Sequence, residues 1–157
     1  MKKHDVISID HLPLEWRTLV AAAMDVREQA YAPYSGFKVG AAVRTATGRV
    51  FYGCNVENAS YGLTVCAERV AIWKAVSHGE RQIVALAVVS ETGAMPCGAC
   101  RQVMIEFARE MPVLVADTRG RATITSIEAL LPEPFPGADL TGQENSTQER
   151  ITRADVG

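Results

Sequence analysis

The run Ile83-Val84-Ala85-Leu86-Ala87-Val88-Val89 limits the possible folds of this chain more than any other stretch. It is near-continuously apolar and rich in β-branched residues. A strand with one wet face would alternate apolar and polar positions, so this one reads as a strand covered on both faces. Covering both faces of a sheet takes a helix layer on each side. The run is also far too short to cross a bilayer, which takes a helix of about 20 residues.

The flanking sequence supplies the layers. Pro13 stands where proline is welcome, in the first turn of a helix. From Leu14 to Ala30 the positions Trp16, Leu19, Val20, Ala23, Met24 and Ala30 fall on one face. Ala32-Pro33-Tyr34-Ser35-Gly36 breaks that helix. Phe37 to Thr45 reads as a strand that turns at Thr47-Gly48 and returns as Val50-Phe51-Tyr52. The polar, glycine-flanked stretch 53–62 is a loop. A helix follows from about Thr64 to His78, with Gly79 placed to end it. Gly98 to Glu110 is a further helix, with Val103, Met104, Phe107 and Ala108 as its apolar side. Pro112 to Ala116 is a buried strand, Ala122 to Thr125 a short one, and Ser126 caps a brief helix through Leu131. The expected organisation is α/β: a polar leader without clear structure over 1–12, one domain over 13–136, and a polar, mobile tail over 137–157.

Charge narrows the function. The net charge is −2, and the sixteen lysines and arginines are scattered rather than gathered in a stripe. Polynucleotide binders show a basic footprint, so the expected substrate is a small molecule, with neither nucleic acid nor membrane as partner. Met1-Lys2-Lys3-His4-Asp5 leads into no apolar segment, which points to a cytoplasmic protein. Four cysteines in such a chain suggest metal or redox chemistry rather than a disulfide framework.

Three of those cysteines form a pattern with one glutamate. Cys66-Ala67-Glu68 is answered by Pro96-Cys97-Gly98-Ala99-Cys100-Arg101. Cys66, Cys97 and Cys100 would hold a zinc ion by three ligands and leave its fourth tetrahedral position for water, the mark of a catalytic site. Glu68, not needed as a ligand, is free to move protons. Both cysteine groups fall at predicted helix starts, where the positive end of the helix favours thiolate. Cys66 and Glu68 are only two apart and would diverge in mid-helix, so the metal must lie beyond the helix end. Arg69 and Arg101 each follow a site residue and are expected to donate to the sulfurs and offset their charge; the plainer reading is two arginines on solvated helix faces. Cys54 could instead complete a closed four-cysteine site, or Cys97 and Cys100 could be a redox dithiol. The first leaves Glu68 unexplained and the second leaves Cys66 unexplained. His4, His11 and His78 show no ligand spacing.

The order of first ligand, x-Glu, then Pro-Cys-x-x-Cys is that of zinc deaminases. Beyond it the chain resembles the small homotetrameric cytidine deaminases. The resemblance rests on Tyr31-Ala32-Pro33-Tyr34-Ser35-Gly36-Phe37, Gly53-Cys54-Asn55-Val56-Glu57-Asn58-Ala59, Cys66-Ala67-Glu68-Arg69, Pro96 through Gln102, and Leu130-Leu131-Pro132. It implies a three-layer α/β/α fold around a mixed five-stranded sheet, one zinc per subunit, and a homotetramer that shares its active sites. It also implies that Asn55 and Glu57 hold the ribose hydroxyls, that Phe37 flanks the pyrimidine, and that the Ala67 N–H reads the base carbonyl. Ala59 and Tyr61 would sit where subunits meet around the sugar, Phe135 would reach in from a neighbour, and Gln102 would support the site beside Arg101. Pattern alone would make Asn55 and Glu57 turn formers and Phe37 a core aromatic. The expected reaction is hydrolytic deamination of cytidine and 2′-deoxycytidine, with Glu68 as proton shuttle, in pyrimidine salvage. The alternatives are a deaminase of another aminopyrimidine nucleoside, such as blasticidin S or an N4-substituted cytidine, and a non-catalytic zinc-binding regulatory module.

Overall fold

The computed structural model describes residues 5–135, together with Gly137 and Leu140. The tail expected over 137–157 otherwise lies outside the described residues. Among the described residues six strands and four α-helices follow one another as β1 (Val6–Ser8), α1 (Leu14–Arg27), β2 (Val39–Thr45), β3 (Val50–Cys54), α2 (Ala67–Ser77), β4 (Ile83–Ser90), α3 (Gly98–Phe107), β5 (Pro112–Asp117), β6 (Arg121–Ser126) and α4 (Ile127–Leu130). They build one mixed sheet in the order β1-β6-β5-β4-β2-β3. Only β4 and β5 run parallel, with α3 as their crossover; every other neighbouring pair is antiparallel.

The sheet has six strands rather than five. The extra one is β1, inside the stretch expected to be a structureless leader. Val6, Ile7 and Ser8 pair with Thr123, Ala122 and Arg121, and a 3-10 turn over Ile9–His11 leads on to α1.

The two faces of β4 explain its uninterrupted apolar run. Ala85, Ala87 and Val89 face α1 in a cluster with Leu19, Val20, Ala23, Ala42, Leu114 and Ala116. Leu86 and Val88 face α2 and α3 in a second cluster with Val43, Ala71, Ile72, Met104 and Val113. The α1 face is lined by small residues, which lets the helix come close. At Gly40 on β2, an added Cβ would stand 2.0 Å from the Ala23 carbonyl oxygen, so only glycine fits under α1. Gly53 on β3 has the same role beneath α2, where a Cβ would meet the Ala71 nitrogen at 2.7 Å.

Element ends differ from the sequence reading where the chain makes other bonds. Helix α2 starts at Ala67 rather than near Thr64, because Val65 pairs with Val56 in an isolated bridge and Cys66 becomes the N-cap. Strand β2 starts at Val39, leaving Phe37 in the preceding loop. Helix α3 stops at Phe107, with Ala108 already extended. Ser126 caps α4 as expected, its hydroxyl accepting from the Ala129 N–H. No described helix is long and apolar enough to cross a membrane.

Candidate metal centre

The N-terminal ends of α2 and α3 meet, and this brings the three cysteines together. Cys66 is the N-cap of α2 and Cys97 the N-cap of α3, both with extended backbone, while Cys100 lies in the first turn of α3. The Cys66 and Cys97 sulfurs are 3.9 Å apart, those of Cys97 and Cys100 3.5 Å, and all three lie within 4.8 Å of one another. Tetrahedral zinc with Zn–S bonds of about 2.3 Å requires sulfurs about 3.8 Å apart. The donor set therefore fits zinc in both chemistry and spacing. Cys54, at the end of β3, stands outside the trio, and no fourth His, Cys, Asp or Glu joins it among the described residues. A closed four-cysteine site is not formed.

Electrostatics point the same way. Three sulfurs this close cannot all ionise unless a cation lies between them. Among themselves they split the proton load. The Cys66 thiol is brought down to about 5, chiefly by the hydrogen bond from Cys100 and further by Arg69. The Cys100 thiol is pushed up by that same contact and by burial. A divalent cation would hold all three as thiolates.

Glu68 is only 4 % exposed, in the first turn of α2. Its position two residues after Cys66 works because the sulfurs gather beyond the helix end rather than on one helical face. Burial, with the nearby Cys66 charge adding to it, pushes its carboxyl up to about 7. Ala67 is fully buried as the first residue of α2, so its N–H is one of those a helix leaves without an intrahelical acceptor.

The arginines divide their roles. Arg69 donates from Nη2 to the Cys66 sulfur at 3.5 Å, and its guanidinium lies 6.0 Å from the Trp73 ring centre. Arg101 does not reach the sulfurs as expected. Its Nε donates to the Pro96 carbonyl and its Nη1 to the Leu130 carbonyl, each at 2.8 Å. The side chain after Cys100 points back along α3 and binds the loop ahead of Cys97. The next residue, Gln102, grips the main chain of Phe135: its Nε2 donates to the Phe135 carbonyl at 2.9 Å and its Oε1 accepts from the Phe135 N–H at 3.4 Å.

The candidate substrate residues are woven into the approach to Cys66. Val56 and Val65 exchange two main-chain hydrogen bonds of 3.0 Å, which fixes the 55–57 segment beside the residue that precedes the ligand. Asn55 is buried. Its Oδ1 accepts from the Val39 N–H at 2.8 Å and its Nδ2 donates to the Phe37 carbonyl at 2.9 Å, so it anchors the loop that carries Phe37. Glu57 accepts on Oε2 from the N–H groups of Tyr34 and Ser35 at 2.8 and 3.2 Å, and on Oε1 from the Ser35 hydroxyl. The Ser35 hydroxyl leads these bonds in holding its carboxyl below the usual range. Asn55 and Glu57 are thus turn formers, as pattern alone suggested, yet each has bonding capacity left. Asn55 keeps one amide hydrogen and Glu57 one lone-pair site on Oε1 among the described contacts. Phe37 is partly exposed, so it is not an ordinary core aromatic. Ala59 is exposed on the loop beyond, and Tyr61 follows with its ring 5.9 Å from that of Tyr34. Phe135 is 61 % exposed.

Comparison with known proteins gives this arrangement a context. Residues 15–116 match the family described as the cytidine and deoxycytidylate deaminase zinc-binding region. A cytidine deaminase of Sporosarcina psychrophila is 48 % identical over 126 residues, covering 78 % of this chain and 93 % of that protein. One from Halalkalibacterium halodurans is 45 % identical over 130 residues, covering 81 % and 98 %. The crystal structure of cytidine deaminase from Burkholderia pseudomallei superposes with a TM-score of 0.74 at 52 % identity, covering 76 % of this chain and 98 % of that one. The matched region contains every cysteine of the trio, Glu68 and both helix starts that hold them, and the chain belongs to the zinc-dependent cytidine and deoxycytidylate deaminase family.

Proposed function

We propose that this chain is a cytidine deaminase that hydrolyses cytidine and 2′-deoxycytidine to uridine and 2′-deoxyuridine with release of ammonia. One observation supports this reading above the rest: a three-sulfur zinc site with no fourth protein donor among the described residues, beside a buried carboxyl that is not a ligand. A regulatory zinc module would have no use for Glu68 in that position.

Cys66, Cys97 and Cys100 would hold one zinc ion per subunit, which would supply Lewis acidity and make a nearby water more acidic. Glu68 accepts a proton from the attacking water and passes it to ring N3, which makes C4 electrophilic. It then takes the second proton from the oxygen added at C4 and gives it to the departing amino group, so that C4 keeps that oxygen as a carbonyl and ammonia leaves. A single carboxylate acts as base and then acid, so burial that raises its proton affinity suits it to both halves of the cycle. Arg69 offsets the sulfur charge from its place against Cys66. The Ala67 N–H, at the helix start, is free to read the base carbonyl. The spare Asn55 amide hydrogen and the spare Glu57 lone pair offer one donor and one acceptor to the two ribose hydroxyls, with Phe37 against the pyrimidine.

The exposed aromatic and aliphatic side chains of Tyr52, Tyr61, Leu63, Trp73 and Phe135 support a homotetramer in which subunits complete one another's sites, Ala59 and Tyr61 lying where they meet. Four unpaired cysteines support a cytoplasmic location. The test is uridine formation from cytidine, measured against zinc content. A zinc-loaded preparation that ignores cytidine and consumes another aminopyrimidine nucleoside would overturn the substrate assignment.

A further inference from the structure

Two adjacent residues of α3 hold both ends of the segment that follows α4. Arg101 binds the Leu130 carbonyl, at the end of α4, and Gln102 binds the N–H and carbonyl of Phe135. Neighbouring side chains on a helix diverge by about 100°, so one helical turn can reach two points five residues apart on a crossing segment. Between those points lie Pro132 and Pro134, whose rings fix two backbone angles and stiffen the strap. Arg101 also binds the Pro96 carbonyl, immediately ahead of Cys97. The turn of helix that carries Cys97 and Cys100 therefore suspends the loop on one side and the strap on the other.

We propose that Gln102 is a positioning residue that sets where the Phe135 ring stands, so that the metal-bearing helix also orients the aromatic cap of a substrate site. The proposal rests on the deaminase reading above. A single hydrogen bond would let the Phe135 peptide swivel. Two antiparallel bonds from one carboxamide fix its orientation as well as its place, as in a strand pair. The ring itself is mostly exposed, so packing within the chain does little to hold it and the main-chain grip fixes the point from which it projects. A ring held in this way faces substrate or a second copy of the protein. Arg101 fixes the near end of the strap, and Gln102 decides the last step.

The test uses the full-length, zinc-loaded protein. Gln102→Leu preserves side-chain bulk and removes both bonds. Losing two neutral hydrogen bonds is expected to raise KM for cytidine about tenfold, with kcat within about twofold and zinc content unchanged. In a double-mutant cycle, Gln102→Leu added to Phe135→Ala is expected to cost nothing further, because both act through one ring. Hydrogen exchange at the Phe135 amide is expected to accelerate about tenfold in Gln102→Leu, a readout independent of activity. If Gln102→Leu does not fold, Gln102→Glu keeps the acceptor, loses the donor, and enters the same cycle. An unchanged KM, additive losses in the cycle, or zinc loss with KM unaffected would overturn the role of Gln102. A wild-type protein inactive on cytidine would overturn the deaminase reading instead, and the amide exchange would then decide the Gln102 contact by itself.

Discussion

Replacing Glu68 by glutamine separates what this residue does for chemistry from what it does for stability. The two side chains have nearly the same volume, so the packing around a position only 4 % exposed is kept. Glutamine cannot accept a proton from water. One positioned acid–base group contributes about 10²–10⁴-fold in rate, and this carboxyl serves every transfer in a turnover, so the loss should reach at least the upper end of that range. The three sulfurs do not change, so zinc should be retained. Stability should move the other way once zinc is removed. Burial first, and the Cys66 charge second, raise the Glu68 carboxyl from 4.5 to about 7 in the folded chain. Its ionisation therefore costs nothing below pH 4.5, where both folded and unfolded forms are protonated. The cost grows above that and is fully present beyond pH 7. A rise of that size corresponds to about 3 kcal/mol. Chelated Glu68→Gln should thus be about 3 kcal/mol more stable than chelated wild type at pH 8, with the gap closing as pH falls toward 4.5. Urea unfolding of both chelated proteins at the two pH values, beside uridine formation by the zinc-loaded forms, measures each quantity. Near-normal turnover, or a stability gap independent of pH, would refute the reasoning.

Glu57→Ala should lower kcat/KM for cytidine about 10–100-fold, from one charged hydrogen bond worth roughly 1.5–3 kcal/mol, and affect free cytosine much less; equal losses on both would remove the sugar clamp. Zinc removal should lower the melting temperature as well as the activity, since structural zinc sites contribute about 10–16 kcal/mol, comparable with a whole domain's stability. Calorimetry of the chelated and loaded forms decides this, and coincident melting curves would contradict it. Gly40→Ala should destabilise the fold by about 3 kcal/mol or more, because its Cβ would stand 2.0 Å from the Ala23 carbonyl oxygen. Gly48→Ala, with φ of +85° but open space around it, should cost only about 1–2 kcal/mol in urea titrations.

The parts of the fold that show in the sequence are those whose signal is local. The apolar run at β4 announces a strand with two dry faces, and both faces are packed. The Thr47-Gly48 turn and the Ser126 cap show for the same reason, since a single residue type meets a single backbone need. Strand β1 does not show. Three residues of mixed polarity become a strand only because β6 offers its edge, more than a hundred positions later. The metal centre divides along the same line. Cysteine spacing and the expected helix starts single out the three sulfurs that the fold brings together. The direction of the Arg101 side chain does not show, because adjacency in sequence to Cys100 says nothing about which side of the helix it leaves. The grip of Gln102 on Phe135 joins residues 33 apart and has no sequence period to betray it. Asn55 shows how the two kinds of reading combine: loop composition finds the turn former, and counting its bonds finds the hydrogen it has left.

Serine finishes the start of α4 in the usual way, but cysteine stands at the same place in α2 and α3 and makes no capping bond there. Two helices thus begin on a sulfur that serves the metal site instead of its own helix's N–H groups. Without zinc the two apolar layers still favour the sheet, and the corner where those helices meet is where the lost stability would be felt first. The metal would then serve stability as well as chemistry, through the same three atoms.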